Sequence, residues 1–189
     1  DKINESILVG KSKIGTTAKG IGPAYQDKVG RKSIKLSDLS NKDILDIKLN
    51  NIKSFYDPIL LAFAEAPINI SEYRKFLAEK YDVLKELIVD NNFINNNFES
   101  KKILFEGAQG ALLDLDYGSY PFVTSSNTIS SYIPIGSGIN KSYETLGIFK
   151  AYATRVGNGP FPSELHNKVG DYLGEKGFEF GTVTKRKRR

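Results

Sequence analysis

Cysteine, methionine and tryptophan are absent from this 189-residue chain, and it has a single histidine. A chain without cysteine has no disulfide scaffold, thiolate metal site or cysteine nucleophile, and its composition fits a reducing compartment. Its apolar runs are shorter than the roughly 18 residues that a membrane span needs, and its first residues do not resemble a signal peptide. We therefore expect a cytoplasmic protein that has no membrane partner. The hydrophobic fraction of 40% is sufficient for a folded core.

Positive charge is concentrated at one end of the chain, where the last five residues, 185 to 189, are all Lys or Arg. Without them the acidic and basic side chains balance. Such a cluster is typical of nuclear-localisation or nucleic-acid patches. It also fits a substrate-binding loop over residues 182 to 188, in which hydroxyls and guanidinium groups hold carboxylates and phosphates. A solvated charge run is the third alternative, and the spacing leaves all three open.

Apolar periodicity predicts a helical layer between about residues 41 and 89. The clearest helix covers residues 71 to 89, and a preceding one begins near residue 41, with an interruption at Pro58. A helix tail is expected at residues 1 to 9, an asparagine-rich loop at 91 to 97 and a short helix at 169 to 175. Two apolar runs, 102 to 105 and 148 to 156, predict buried strands that end in polar loops. Ligands bind at that edge of open α/β sheets.

The loops contain the candidate binding groups. A glycine-rich loop over residues 10 to 25 offers Thr16 and Thr17 to a phosphate, although it does not match the pattern GxxxxGK[ST] and could be a simple connection. Gln109 could donate to and accept from one ligand at once. Residues 124 to 128, TSSNT, either cap turns or surround a polar ligand. We expect His166 to be a surface histidine.

Three carboxylates, Glu106, Asp114 and Asp116, lie near Gln109 in sequence. Each could be a general base, a metal ligand or a turn former, and for each one taken singly the structural role is favoured.

Five segments, read in order, resemble the adenylosuccinate synthetase family, whose members join IMP to aspartate with GTP hydrolysis. They are TTAKGIGPAYQDKVGR (16 to 31), FEGAQGALLDLDYGSYPFVTSSNT (105 to 128), GSGI (136 to 139), KAYATRVGNGPFPSEL (150 to 165) and EFGTVTKRKRR (179 to 189). The resemblance implies an α/β fold with a central, mainly parallel β-sheet and flanking helices. It also implies that residues 1 to 189 are the central part of one larger catalytic domain, and we expect the chain to be a fragment.

The resemblance assigns substrate contacts to individual positions of this chain. The IMP contacts it implies are Thr17, Arg31, Gln109, Thr124, Val156 and Arg186. Arg31 is expected to reach the partner subunit's site in a homodimer. The implied aspartate contacts are Thr182, Val183, Thr184, Lys185, Arg186, Lys187 and Arg188, and Arg188 is also expected to approach GTP.

The family's phosphate loop, which carries the catalytic Asp and a magnesium ligand, has no counterpart here. Its general-acid His and its guanine-selecting region have none either. The resemblance therefore implies that this fragment holds no catalytic acid or base and no metal ligand, and is inactive alone. Mg²⁺ is expected to bind elsewhere in the protein, with GTP as co-substrate. Two alternatives remain: a nucleic-acid-binding or nuclear-targeted protein that uses the basic cluster, and a nucleotide-binding relative without catalysis.

Overall fold

The computed structural model describes residues 1–99, 101–181 and 185–189, with the backbone alone at residue 11. The expected aspartate contacts Thr182, Val183 and Thr184 lie outside the described residues. Seven α-helices occur in the described part: α1 Lys2–Ile7, α2 Ile21–Val29, α3 Lys42–Ala62, α4 Ile70–Leu84, α5 Phe93–Asn97, α6 Ile133–Ser137 and α7 Lys168–Lys176. Short 3-10 turns lie at Gly10–Ser12, Leu36–Ser40, Lys85–Leu87, Ala111–Leu113 and Ser130–Tyr132.

The chain divides into two compact units. The first unit comprises Asp1–Gly22 and Ile94–Arg189, and the second comprises Pro23–Phe93. None of the helices in the described ranges is both long and apolar enough to cross a membrane.

The second unit is built on the two long helices that the periodicity predicts. The amides of Asp43 and Ile44 donate to the side chain of Asn41, which caps α3, and Asn69 caps α4 in the same way. The buried faces meet in an apolar core of Leu39, Leu45 and Leu49, with Ile34, Ile70, Leu77 and Tyr81 packed against it. The predicted helix at 71 to 89 is confirmed over most of its length, although α4 ends at Leu84 and a 3-10 turn follows.

Two local predictions in this part of the chain are wrong. Pro58 lies inside α3 and does not interrupt it; the helix loses one backbone hydrogen bond there and continues, because its apolar face remains packed on the core. The asparagine-rich segment is not entirely a loop, since Phe93–Asn97 forms a short helix.

The first unit consists mainly of turns and extended segments around short helices. The predicted helix tail at the start and the helix at 169 to 175 are confirmed as α1 and α7. The glycine-rich stretch is not all loop, because α2 begins at Ile21 and includes Gly22 and Pro23. Asn167 caps α7 by accepting from the amides of Val169 and Gly170.

The described residues form no β-sheet. Their β pairing is one antiparallel bridge, between Phe180 and Lys187. The predicted strands at 102 to 105 and 148 to 156 are not assigned as strands, and their apolar side chains are not buried: Leu104 is 89% exposed and Phe149 is 93% exposed. A strand is stable only when a neighbour satisfies its backbone hydrogen bonds, and no described segment lies alongside these two as a strand.

Candidate functional site

The glycine-rich loop is in direct contact with the basic segment. Arg186 donates from Nη2 to the carbonyl oxygen of Gly15 at 2.7 Å. The φ angle of Gly15 is +79°, and a Cβ atom at this position would lie 3.4 Å from the Arg186 guanidinium. Glycine is therefore favoured here both by the backbone conformation and by the close approach. The contact brings Arg186 to within two residues of Thr17, although 171 residues separate Arg186 from Gly15 in sequence.

Asn158 attaches a third segment to the same loop. Its backbone amide donates to the carbonyl of Ile14 at 3.3 Å, and its side-chain Nδ2 donates to the carbonyl of Lys13 at 2.6 Å. Val156 is half-buried two residues before Asn158. The structure thus brings together the segments of three predicted IMP contacts, Thr17, Val156 and Arg186.

Gln109 and Thr124 belong to two segments that are joined by hydrogen bonds. The hydroxyl of Thr128 donates to the carbonyl of Gly110 at 2.8 Å, and the amide of Thr124 donates to the carbonyl of Leu113 at 2.9 Å. Gln109 is exposed and has φ +60°, a left-handed conformation that is uncommon for residues other than glycine. Its amide is therefore presented at the surface by a tight turn.

Asp114 organises this pair of segments. The side chain is fully buried. Its Oδ1 accepts hydrogen bonds from the backbone amides of Asp116 and Tyr117, both at 3.0 Å. Its Oδ2 accepts from the amides of Thr128, at 2.5 Å, and Ile129, at 3.2 Å. Burial acts to raise the pKa of Asp114, but the four amide hydrogen bonds outweigh it and hold the pKa well below the usual range. Asp114 is therefore an ionised turn former and is not placed to act as a base.

The basic segment is one side of an antiparallel hairpin. The amide of Gly181 donates to the carbonyl of Arg186 at 2.7 Å, and the amide of Arg188 donates to that of Glu179 at 2.8 Å. The amide of Lys185, which has φ +56°, donates to the Gly181 carbonyl at 2.8 Å. The backbone of residues 185 to 188 is thus fixed by the chain that precedes it.

Glu179 is the buried anion at the base of this hairpin. The residue is 5% exposed. Its Oε1 accepts hydrogen bonds from Lys150 Nζ at 2.6 Å and from the Tyr152 hydroxyl at 3.1 Å. Its Oε2 accepts from Arg188 Nη1 at 2.9 Å. The hydrogen bond from Lys150 does most to lower the pKa of Glu179; burial opposes this, and the bonds from Arg188 and Tyr152 add to it. Burial and the neighbouring carboxylate raise the pKa of Tyr152.

Two other cations of the basic segment, Lys187 and Arg189, also have partners. Lys187 Nζ lies 3.1 Å from a carboxylate oxygen of Asp171, and Arg189 Nη1 lies 3.4 Å from one of Glu164. Together with the contacts of Arg186 and Arg188, these pairs give four of the five cations a partner elsewhere in the first unit, so the segment as a whole is not a freely solvated charge run.

Arg31 belongs to the second unit. It is exposed at φ +61°, just after α2, and its amide donates to the carbonyl of Lys28 at 3.2 Å. Nearby in sequence, Asp27 accepts from the hydroxyl of Tyr56 at 2.7 Å. Burial, followed by this bond, raises the pKa of Tyr56 to about 12. A half-buried pair of a phenol and a carboxylate therefore lies next to this backbone.

The remaining candidates have no catalytic arrangement. The side chain of His166 is 80% exposed and lies 3.9 Å from Glu164, which confirms the surface histidine. Glu106 is exposed, and Asp116 accepts from the side chain of Asn127 at 2.6 Å. Across the described ranges, His, Asp and Glu side chains form no group of three or more that could hold a metal ion.

Two open cavities lie in the first unit. One, of about 580 Å³, is lined by Gly10, Phe122, Asn158, Gly159 and Arg189. The other, of about 630 Å³, lies between the Tyr152 segment, α7 and the basic segment. Both volumes are within the range of small-molecule sites.

Three residues that support this geometry have no predicted role in the sequence analysis: Arg155, Asn158 and Glu179. Arg155 and Asn158 lie inside one of the family-like segments, and Glu179 opens another. For Glu179 the available signal is one carboxylate beside a dense run of cations. Arg155 and Asn158 have no local signal for their contacts to Ser119, Phe122 and Lys13, because these partners are distant in sequence.

The chain is similar to known proteins over its whole length. The family profile described as adenylosuccinate synthetase matches residues 1–189. The adenylosuccinate synthetase of Wolbachia sp. subsp. Brugia malayi is 47% identical over 190 residues, which cover 96% of this chain and 42% of that protein. The adenylosuccinate synthetase of Alkalilimnicola ehrlichii is 44% identical over 194 residues, which cover 100% of this chain and 45% of that protein.

A solved structure is also similar. The fully ligated adenylosuccinate synthetase from Plasmodium falciparum is 40% identical, with a TM-score of 0.87, over 100% of this chain and 45% of that one. The α/β class is supported by this likeness, whereas the parallel sheet is not seen in the described residues. The chain spans less than half the length of each of these relatives.

Proposed function

Because the chain belongs to the adenylosuccinate synthetase family, we propose that the protein containing it joins IMP to L-aspartate, using GTP and releasing adenylosuccinate, GDP and phosphate. The protein would be a ligase of purine nucleotide biosynthesis that forms a C–N bond. The observation that carries the proposal is the hydrogen bond from Arg186 to Gly15. It unites the two segments that would hold the phosphate of IMP.

The IMP contacts would be Thr17, Arg31, Gln109, Thr124, Val156 and Arg186. The Thr17 hydroxyl and the Arg186 guanidinium would donate to the phosphate region, and a guanidinium fork suits such oxygens. Gln109 would read the base through its amide, and Val156 would line the ribose. Support comes from the hydrogen bonds that join the Thr17, Val156 and Arg186 segments, and from those that join the Gln109 and Thr124 segments.

Aspartate would bind to residues 182 to 188. Lys185, Arg186, Lys187 and Arg188 would neutralise its two carboxylates, and Arg188 would also approach GTP. Support comes from the hairpin that fixes the described part of this segment and from the buried Glu179 at its base. Since Arg186, Lys187, Arg188 and Arg189 already have partners in the first unit, the comparisons and the structure give no support to the nucleic-acid alternative.

The other parts of the reaction would lie outside this chain. Mg²⁺ would be bound elsewhere in the protein, together with the catalytic acid and base, as the family resemblance implies. This chain's residues would bind and orient substrates. Its two extended apolar runs would become strands of a mainly parallel sheet, whose other strands would come from parts of the protein that the longer relatives contain. A cytoplasmic homodimer, to which Arg31 contributes across subunits, completes the proposal.

The test is turnover of IMP, aspartate and GTP by the intact protein, followed by phosphate release. Arg186→Gln and Gln109→Ala should each lower kcat/KM by roughly tenfold to hundredfold, as expected for one charge-assisted or specific hydrogen bond. The matched control is Arg74→Gln, because the exposed Arg74 pairs with Asp46 in the second unit and belongs to none of the proposed substrate-binding segments. Binding of IMP without turnover would instead indicate a non-catalytic relative, and near-normal rates in both site variants would refute the assignment.

A further inference from the structure

Arg155 makes an unusual set of contacts for a half-buried guanidinium group. Its Nε donates to the carbonyl of Asn158 at 3.0 Å, its Nη1 to the hydroxyl of Ser119 at 3.2 Å and its Nη2 to the carbonyl of Phe122 at 2.7 Å. All three acceptors are neutral oxygens, and no carboxylate of the described residues forms an ion pair with it. A half-buried cation held in this way serves geometry more than charge neutralisation.

The partners of Arg155 belong to two segments of the proposed IMP site. Phe122 lies two residues before Thr124, and Asn158 lies two residues after Val156. The planar guanidinium fork fixes the distance between them, because its N–H groups diverge at set angles. A lysine ammonium at the same position would be a single point charge without that fork.

The backbone of Arg155 is hydrogen-bonded to the basic segment. The amide of Arg155 donates to the carbonyl of Arg189 at 3.0 Å, and the amide of Arg189 donates to the carbonyl of Arg155 at 2.8 Å. Arg189 follows Arg186 by three residues. One residue thus joins three segments to which the IMP contacts Thr124, Val156 and Arg186 belong.

Gly159 makes room for this arrangement. A Cβ atom there would lie 2.7 Å from Arg155 Nη2 and 2.5 Å from Phe122 Cβ, and the φ angle of Gly159 is +104°. A side chain would therefore displace the guanidinium group from the Phe122 carbonyl. The positive φ angle and the lack of space for a Cβ atom therefore both favour glycine at position 159.

We propose that Arg155 is a positioning residue of the IMP site, which sets the spacing between the Thr124 and Val156 segments without touching the nucleotide. The inference rests on the proposed function, since it needs IMP as the ligand. Loss of the fork should weaken IMP binding and leave the binding of GTP unchanged, because the hydrogen bonds of the Arg155 side chain go to the Thr124 and Val156 segments, while its backbone bonds to Arg189 do not depend on the side chain.

The test compares Arg155→Lys with Arg74→Lys in the intact protein. Steady-state kinetics give the KM of each substrate, equilibrium dialysis gives the Kd of IMP, and a thermal melt monitors folding. Arg155→Lys should raise the KM and Kd of IMP by roughly tenfold, as expected from the loss of one or two hydrogen bonds, and change the KM of GTP less than twofold. Arg74→Lys should change none of them.

The outcomes separate this inference from the proposed function. If the wild-type protein neither binds nor converts IMP, the proposed function fails and the inference fails with it. If the wild type is active and Arg155→Lys leaves the KM and Kd of IMP unchanged, the inference alone is overturned. An equal rise in the KM of all three substrates with a lowered melting temperature would also overturn it, because that pattern indicates general destabilisation.

Discussion

Replacement of Glu179 by Gln tests whether one buried carboxylate holds the basic hairpin in place. The substitution preserves the shape of the side chain and removes its charge. In the wild type, Glu179 accepts from Lys150, Tyr152 and Arg188 and is 5% exposed. In Glu179→Gln one oxygen becomes an NH₂ group, which faces a cation in place of accepting from it. The hairpin should therefore be less stably attached.

The size of the loss follows from the contacts. A hydrogen bond to a charged group contributes about 1.5–3 kcal/mol, against about 0.5–1.5 kcal/mol for a neutral one, so two weakened bonds amount to about 2–3 kcal/mol. The side chains of Lys150 and Arg188 are 45% and 31% exposed, so water replaces part of what they lose. We expect a net decrease of about 1–2 kcal/mol in the free energy of unfolding.

The assay is urea unfolding of the intact protein at pH 7, with Asp171→Asn as the matched control. Asp171 pairs with Lys187 of the same segment, but these side chains are 70% and 49% exposed. Its replacement should therefore cost less than about 0.5 kcal/mol. Equal losses in the two variants, or no measurable loss in Glu179→Gln, would refute the argument from burial.

The pH dependence provides a second check on Glu179. Its pKa in the folded protein is lowered from the ordinary value of 4.5. The contribution of the carboxylate is therefore fully present above about pH 4.5 and is lost as the pH falls through the folded-state pKa. The difference in stability between the wild type and Glu179→Gln should be constant from pH 7 to 5 and should shrink at lower pH.

Two further predictions concern the core and the buried turn. Leu49 is 4% exposed in the core of the second unit, and Leu49→Ala should lower the free energy of unfolding by about 2–5 kcal/mol. Leu61 lies on the same helix at 60% exposure, and Leu61→Ala should lower it by less than about 1 kcal/mol. Urea unfolding measures both losses, and similar values would contradict the assigned core. Asp114→Asn replaces one of the two oxygens that accept from backbone amides, so hydrogen exchange should accelerate either at Thr128 and Ile129 or at Asp116 and Tyr117. Exchange at all these amides as slow as in the control Asp116→Asn would contradict the assigned role.

The sequence by itself determined the long helices and the family. The periodicity over α3 and α4 depends on neighbours three or four residues apart, so these helices could be predicted apart from small errors at their ends and the interruption wrongly expected at Pro58. The motifs of residues 16 to 31, 105 to 128 and 179 to 189 indicated the family that the comparisons show. The residue types and their neighbours also favoured a structural role for Asp114 and a surface position for His166.

The tertiary structure alone decided how the site is assembled. The bond between Arg186 and Gly15 spans 171 residues, and the partners of Arg155 lie 33 and 36 residues away. No local pattern encodes such contacts, because they depend on how distant segments pack. The strand predictions failed for the same reason. An apolar run specifies that a segment is suited to burial, but only a neighbouring strand makes it part of a sheet.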